Sequence, residues 1–300
     1  MMHAYCIITH NEPKLFKILI ELLDDKRNDI YVYLDKKTDK SLFDSTSTKY
    51  SRIFFLDNTR YLSWGSPELL NAELVLLKFA HSHGKYSRYH LISGVDLPIR
   101  TQDYIHDFLD CRNAQKEFIG VVKSDVQDSW IKQRTGVYYF FKNHLSLARE
   151  CTRFGKLLFR FQDRFVTWQM YHPIFRRNYD VKLKMGPQWF SLTNSCVEYL
   201  LAKEKTFFCK FKYTKIPDEI AIQSAVWNSP FKENIYDLDD QYHSCLRKID
   251  WTRGGPYIWR EKDFEELMST DCLFARKFSG SDMNIVNRIV ETLCKGNLNN

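Results

Sequence analysis

The residues with chemistry to offer fall into a few short clusters. Thr9-His10-Asn11, Asp35-Lys36-Lys37 and Ser93-Gly94-Val95-Asp96 each close an apolar, β-prone run. Polar groups gathered at strand ends suit a nucleotide, because open α/β sheets bind ligands beyond the carboxyl ends of their strands. A carboxylate pair, Asp218-Glu219, follows Ile216-Pro217. Two roles fit it: a general base, or the first turn of a helix, where proline is tolerated and acids favour the positive end of the dipole. Arg276-Lys277 is a late cationic pair, to be read as surface charge or as an anion site, with Arg253 and Arg260 upstream. Asp237-Leu238-Asp239 has a spacing that can hold a divalent metal, but it lies after the carboxylate pair and reads as a solvated loop. His81 and His83, two apart on a helix, diverge. No metal site is expected.

These clusters need elements to hold them. Residues 4–9 are apolar and β-prone, and Asn11 and Pro13 then open an amphipathic helix with Leu15, Ile18, Leu19 and Leu22 on one face. Strands follow at Ile30 to Leu34 and Ile53 to Leu56. Ser66-Pro67 starts a further helix, the hydroxyl serving as N-cap. Tyr89 to Ile92 is the next strand, and later helices are expected over 194–203, after Pro217, at Phe264 to Met268 and at Met283 to Leu293. This βαβ rhythm predicts an α/β fold with a mostly parallel central sheet and helices on both faces. It also predicts one compact domain over 1–300, with a nucleotide-binding half (1–110) and a second half (111–300). Neither G-x-G-x-x-G nor G-x-x-x-x-G-K-[ST] occurs, which disfavours a dinucleotide-binding dehydrogenase or a P-loop enzyme.

Composition narrows the class. The 300 residues are 44% hydrophobic with 11 Gly and 8 Pro, so a large core is affordable and a fibrous or disordered chain is excluded. Eight cysteines are scattered without a C-x-x-C pair and read as reduced thiols. The start resembles a buried strand more than a leader peptide, and no apolar run is long enough to span a bilayer. A net charge of +7 suggests anionic company. No nucleic-acid-binding motif is recognisable, so no nucleic-acid partner is expected. Cations and aromatics interleave over 149–184, from Arg149 through Phe161, Arg164 and Trp168 to Lys184. Two readings stand: peripheral contact with an anionic membrane, or a solvated helix whose aromatic stripe packs on the core. The second is the simpler.

Several segments together resemble the core-2/I-branching β-1,6-N-acetylglucosaminyltransferases, glycosyltransferase family 14. They are Ala4 to His10, Tyr31 to Lys37, Tyr61-Leu62-Ser63-Trp64-Gly65, Leu91 to Arg100, Gln188 to Leu192, Ile216 to Glu219 and Leu273 to Phe278. They follow the family's order, and only about 110–180 does not match. The resemblance implies a GT-A-like fold, a UDP-sugar donor, inversion at the anomeric carbon and no metal, with basic side chains in its place. It implies Glu219 as the base on the acceptor hydroxyl and Lys277 beside the diphosphate, joined by Arg253 or Arg260, of which Arg253 is favoured. It places uridine and ribose against Thr9, His10, Asn11, Asp35, Lys36, Lys37 and Tyr61. Asp96 and Trp189 would line the sugar pocket, or would serve the turn and the core. N-acetylglucosamine is the expected sugar, although xylose-transferring relatives share the framework. The chain would be a bacterial-type cytoplasmic enzyme of capsular or surface polysaccharide synthesis, peripheral on the inner membrane if its acceptor is lipid-linked.

Overall fold

The computed structural model describes residues 1–57, 59–123, 128–140 and 153–298; residues 149–152 of the basic stretch and Cys151 lie outside them. The chain opens with β1 (His3–Thr9), α1 (Pro13–Leu23), β2 (Asn28–Leu34), β3 (Arg52–Phe55), α2 (Pro67–His83) and β4 (Arg88–Ser93). β1, β2 and β4 are buried along their whole length, which is why they read as continuous apolar runs. Tyr5, Ile7, Ile30 and Val32 pack with α1, and Ala4, Cys6, Tyr31 and Tyr33 pack with α2.

α1 buries Leu15, Phe16, Leu19, Ile20 and Leu23. Each such burial contributes about 1.5–3 kcal/mol, which outweighs a missing N-cap of about 1 kcal/mol. Neither α1 nor α2 has a side-chain cap. The expected cap at Ser66 is not made: its hydroxyl is buried with no partner among the described residues.

The chain continues with β5 (Asp96–Pro98), α3 (Gln102–His106), β6 (Phe118–Ile119), α4 (Asp128–Thr135) and α5 (Arg153–Tyr171). Next come β7 (Phe190–Thr193), α6 (Asn194–Ala202), α7 (Ala221–Trp227) and α8 (Gln241–Ser244). β8 (Arg247–Ile249), α9 (Phe264–Ser269), β9 (Phe274–Arg276) and α10 (Met283–Leu298) close it. The main sheet runs β3-β2-β1-β4-β7-β6, parallel through β4, with β7 antiparallel to both neighbours. This is the mostly parallel α/β architecture expected, and the sheet draws β6 and β7 from beyond residue 111.

A second sheet, β5-β9-β8, sits where β4 ends and sets Asp96 opposite Arg276. The turn between β4 and β5 needs Gly94, because a Cβ there would lie 2.1 Å from Thr9 Oγ1. The described cysteines are all free. Among the described residues no helix is long and apolar enough to cross a membrane.

Candidate active site

A cleft of about 510 Å³ opens beside the carboxyl ends of the central strands, and its walls include Glu219, Asp218, Trp189, Arg134 and Arg276. Glu219 ends a short 3₁₀ turn, Pro217–Glu219, just before α7. The residue ahead of the turn, Ile216, is left-handed at φ 54, a strained conformation for a β-branched side chain. Its N–H donates to the Gly65 carbonyl at 2.9 Å, and Gly65 itself has φ 68. The Tyr61-to-Gly65 and Ile216-to-Glu219 segments therefore act as one unit that aims the carboxylate.

Burial raises the pKa of Glu219, and Arg134 of α4, donating to it at 3.0 Å, opposes the rise. Beneath lies Glu73 of α2, fully buried, which accepts from Gln188 Nε2 at 2.6 Å. Burial and then the neighbouring Asp218 carboxylate push Glu73 well above the ordinary range.

Arg276 is a second cation that lines the cleft. It donates to Asp96 Oδ1 at 2.7 Å and to Ser93 Oγ, and its guanidinium lies 4.3 Å from the centre of the Trp189 ring. Asp96 is completely buried and also accepts from the Ser93 N–H at 2.9 Å. Asp96, read as a sugar contact or a turn residue, here bonds the Ser93 turn and Arg276, while Trp189 reaches the cleft. Lys277 is half-buried and pairs with no carboxylate among the described residues. Arg253 is occupied otherwise: Asp250, Asp263 at 2.8 Å and Glu266 at 2.9 Å hold it, with Tyr257 against its face. Arg260 faces Asp282 at 3.7 Å.

The strand-end residues come together as the topology requires. Asp35 is buried, accepts from the Lys37 N–H at 3.1 Å and faces the Lys37 ammonium at 3.3 Å. Lys36 lies 5.6 Å from the centre of the exposed Tyr61 ring. His10 and Asn11 are exposed, whereas Thr9 is enclosed beneath Gly94. Partial desolvation, then the Lys37 charge, lower the His10 pKa; Asp35 opposes and Arg276 adds to the lowering. Arg276 both lines the cleft and donates to Ser93 at the end of β4.

Neither acid–histidine cluster suits a metal on a diphosphate. Asp237 accepts from the Asp239 and Asp240 N–H groups at 2.7 and 3.1 Å and faces His243, so it shapes a turn. His3, His106 and Asp110 gather at the amino end of β1, away from the strand ends that carry the cleft. The two rings stack at 3.8 Å and 20°, so their lone pairs lie in near-parallel planes and do not converge on one ion. Sequence reasoning missed Arg134, Gln241, Tyr242 and Trp251, all on the cleft. Arg134 lies in the stretch without a recognisable motif, and no local pattern marks it.

The family model for the Core-2/I-branching enzyme matches residues 3–271. Xylosyltransferase 2 of Rattus norvegicus is 23% identical over 301 residues, covering 93% of this chain and 32% of the relative. The Homo sapiens protein of the same name is 22% identical over 305 residues, with the same coverage, 93% and 32%. The chain thus spans about a third of the length of the curated relatives it matches. Among solved structures, apo mouse xyloside xylosyltransferase 1 aligns with a TM-score of 0.33 at 11% identity, covering 91% of this chain and 97% of that one. So loose a superposition carries no structural argument.

Proposed function

The chain belongs to the Core-2/I-branching enzyme family of glycosyltransferases, and from that premise we propose that it moves a sugar from a UDP donor to a glycan hydroxyl in one inverting displacement without a metal. The observation that supports this is that Glu219 and Arg276 both line one cleft. In-line displacement needs a base on the attacking hydroxyl and positive charge at the departing diphosphate. Glu219 is half-sheltered and its pKa is raised, as suits a base working near neutrality. Arg276, with Lys277 next in sequence, supplies the charge. His10, Asp35, Lys36, Lys37 and Tyr61 take the nucleoside, and Trp189 offers an aromatic face to the sugar. Arg253, tied to three carboxylates, is replaced in this proposal by Arg276.

N-acetylglucosamine is the donor sugar we carry forward, with a surface polysaccharide as the acceptor class. Xylose is a second reading, favoured by the names of the relatives. A thermal-shift screen of UDP-sugars in excess chelator tests both, because a ligand bound to the native state raises its melting midpoint. Stabilisation by one UDP-sugar names the donor. Stabilisation by none of them until manganese is added contradicts the metal-free reading.

A further inference from the structure

A helix on a protein surface normally turns its apolar stripe inward. α5 departs from this in part. Its buried residues among those described are Gln162 and Gln169, 4% and 0% exposed, while Leu158, Phe165 and Val166 are half-buried. The Gln169 amide donates to the Tyr138 carbonyl at 3.0 Å and its oxygen accepts from the Tyr138 N–H at 2.9 Å, a two-bond clamp that fixes which face points out. Leu157, Phe161, Trp168 and Tyr171 then stand 63%, 57%, 42% and 77% exposed. Their spacing of four, seven and three residues puts them on a single stripe of an α-helix. Exposed Arg164 falls within that stripe, between Phe161 and Trp168, exposed Arg160 lies at its border, and Ile174, 86% exposed, follows the helix end.

This pattern calls for a partner that is apolar just below an anionic surface. The helix sequence carries four cations (Arg153, Lys156, Arg160, Arg164) against one carboxylate, Asp163, within a chain of net charge +7. Tryptophan and tyrosine beside arginine are the side chains that partition to the head-group region, and the helix is not apolar enough to cross.

We propose that α5 is a membrane-surface helix: Leu157, Phe161, Trp168 and Tyr171 sink into the interface of an anionic bilayer, and Arg160 and Arg164 meet its head groups. The segment clamped by Gln169 continues from α4, whose Arg134 pairs with Glu219 at 3.0 Å. The bilayer would therefore lie on the side of the cleft that Arg134 borders, which fits an acceptor glycan carried on a lipid; that last clause alone rests on the transferase reading.

Cosedimentation of the full chain with sucrose-loaded vesicles tests the proposal. The wild-type chain should pellet with vesicles of phosphatidylcholine and phosphatidylglycerol in equal parts and stay in solution with phosphatidylcholine alone. Replacing both Arg160→Glu and Arg164→Glu should weaken binding by about tenfold or more. The pair Phe161→Ser and Trp168→Ser should abolish it, with a cooperative melting transition retained as the check that the variant is folded. Failure of the wild-type chain to pellet, or equal pelleting with both vesicles, overturns the proposal. So does a concentration-dependent dimer in sedimentation velocity that the serine pair dissolves, since the stripe would then belong to a second copy. UDP binding by the serine variant, measured in parallel, separates these outcomes from failure of the transferase reading.

Discussion

The chemistry of the cleft turns on how one carboxylate is kept both sheltered and ionisable. Burial raises the Glu219 pKa and the Arg134 guanidinium restrains it. A base must be ionised to accept a proton, so activity falls on the acid side of that raised value. In Arg134→Ala the restraining charge is gone and the carboxyl rises further. The acid limb of the kcat/KM profile should then move to higher pH, with the larger loss of rate at mildly acidic pH. A profile that keeps its acid limb where the wild type has it would remove Arg134 from this role. Much of this was legible in the residues: the Ile216-to-Glu219 motif points to a carboxylate, and Arg276 adjoins Lys277 in a motif that could be named. What Arg276 does was hidden, because its partner Asp96 lies 180 positions away and meets it only through pairing of β5 with β9.

At the scale of elements, two close approaches position the site. β4 can end against β1 only because residue 94 has no side chain. A methyl group at Gly94→Ala would collide with Thr9 and force β1 and β4 apart, at a cost of about 1–3 kcal/mol. The urea midpoint should fall by a corresponding amount with an unchanged slope; an unchanged midpoint would show that the turn has room to give. The βαβ portion was readable because each strand is a short apolar run between turn residues, and each helix has a 3.6-residue stripe. The second sheet was not, since β5, β8 and β9 are three residues each and too short to show a period. α5 was readable as a helix, but not which of its apolar residues face out: Leu157, Phe161 and Trp168 are exposed while Leu158 and Phe165 are half-buried, a rotation that the Gln169 clamp helps to set.

For the molecule as a whole, the second sheet brings the cation at the end of β9 to the carboxyl edge of the first, while the 216–219 turn delivers an acid to the same cleft. The strand-end cluster lies near Arg276, which donates to Ser93 Oγ at the end of β4. The central claim is that Glu219 and Arg276 act on the same bond from its two ends. UDP affinity and turnover, measured side by side for Glu219→Gln and Arg276→Ala, test it most directly. Glu219→Gln should bind UDP as the wild type does and lose at least about 100-fold in kcat. Arg276→Ala, its fold checked by the melting midpoint, should lose both UDP affinity and turnover. Undiminished transfer by Glu219→Gln, or unchanged UDP binding by a folded Arg276→Ala, would contradict the account.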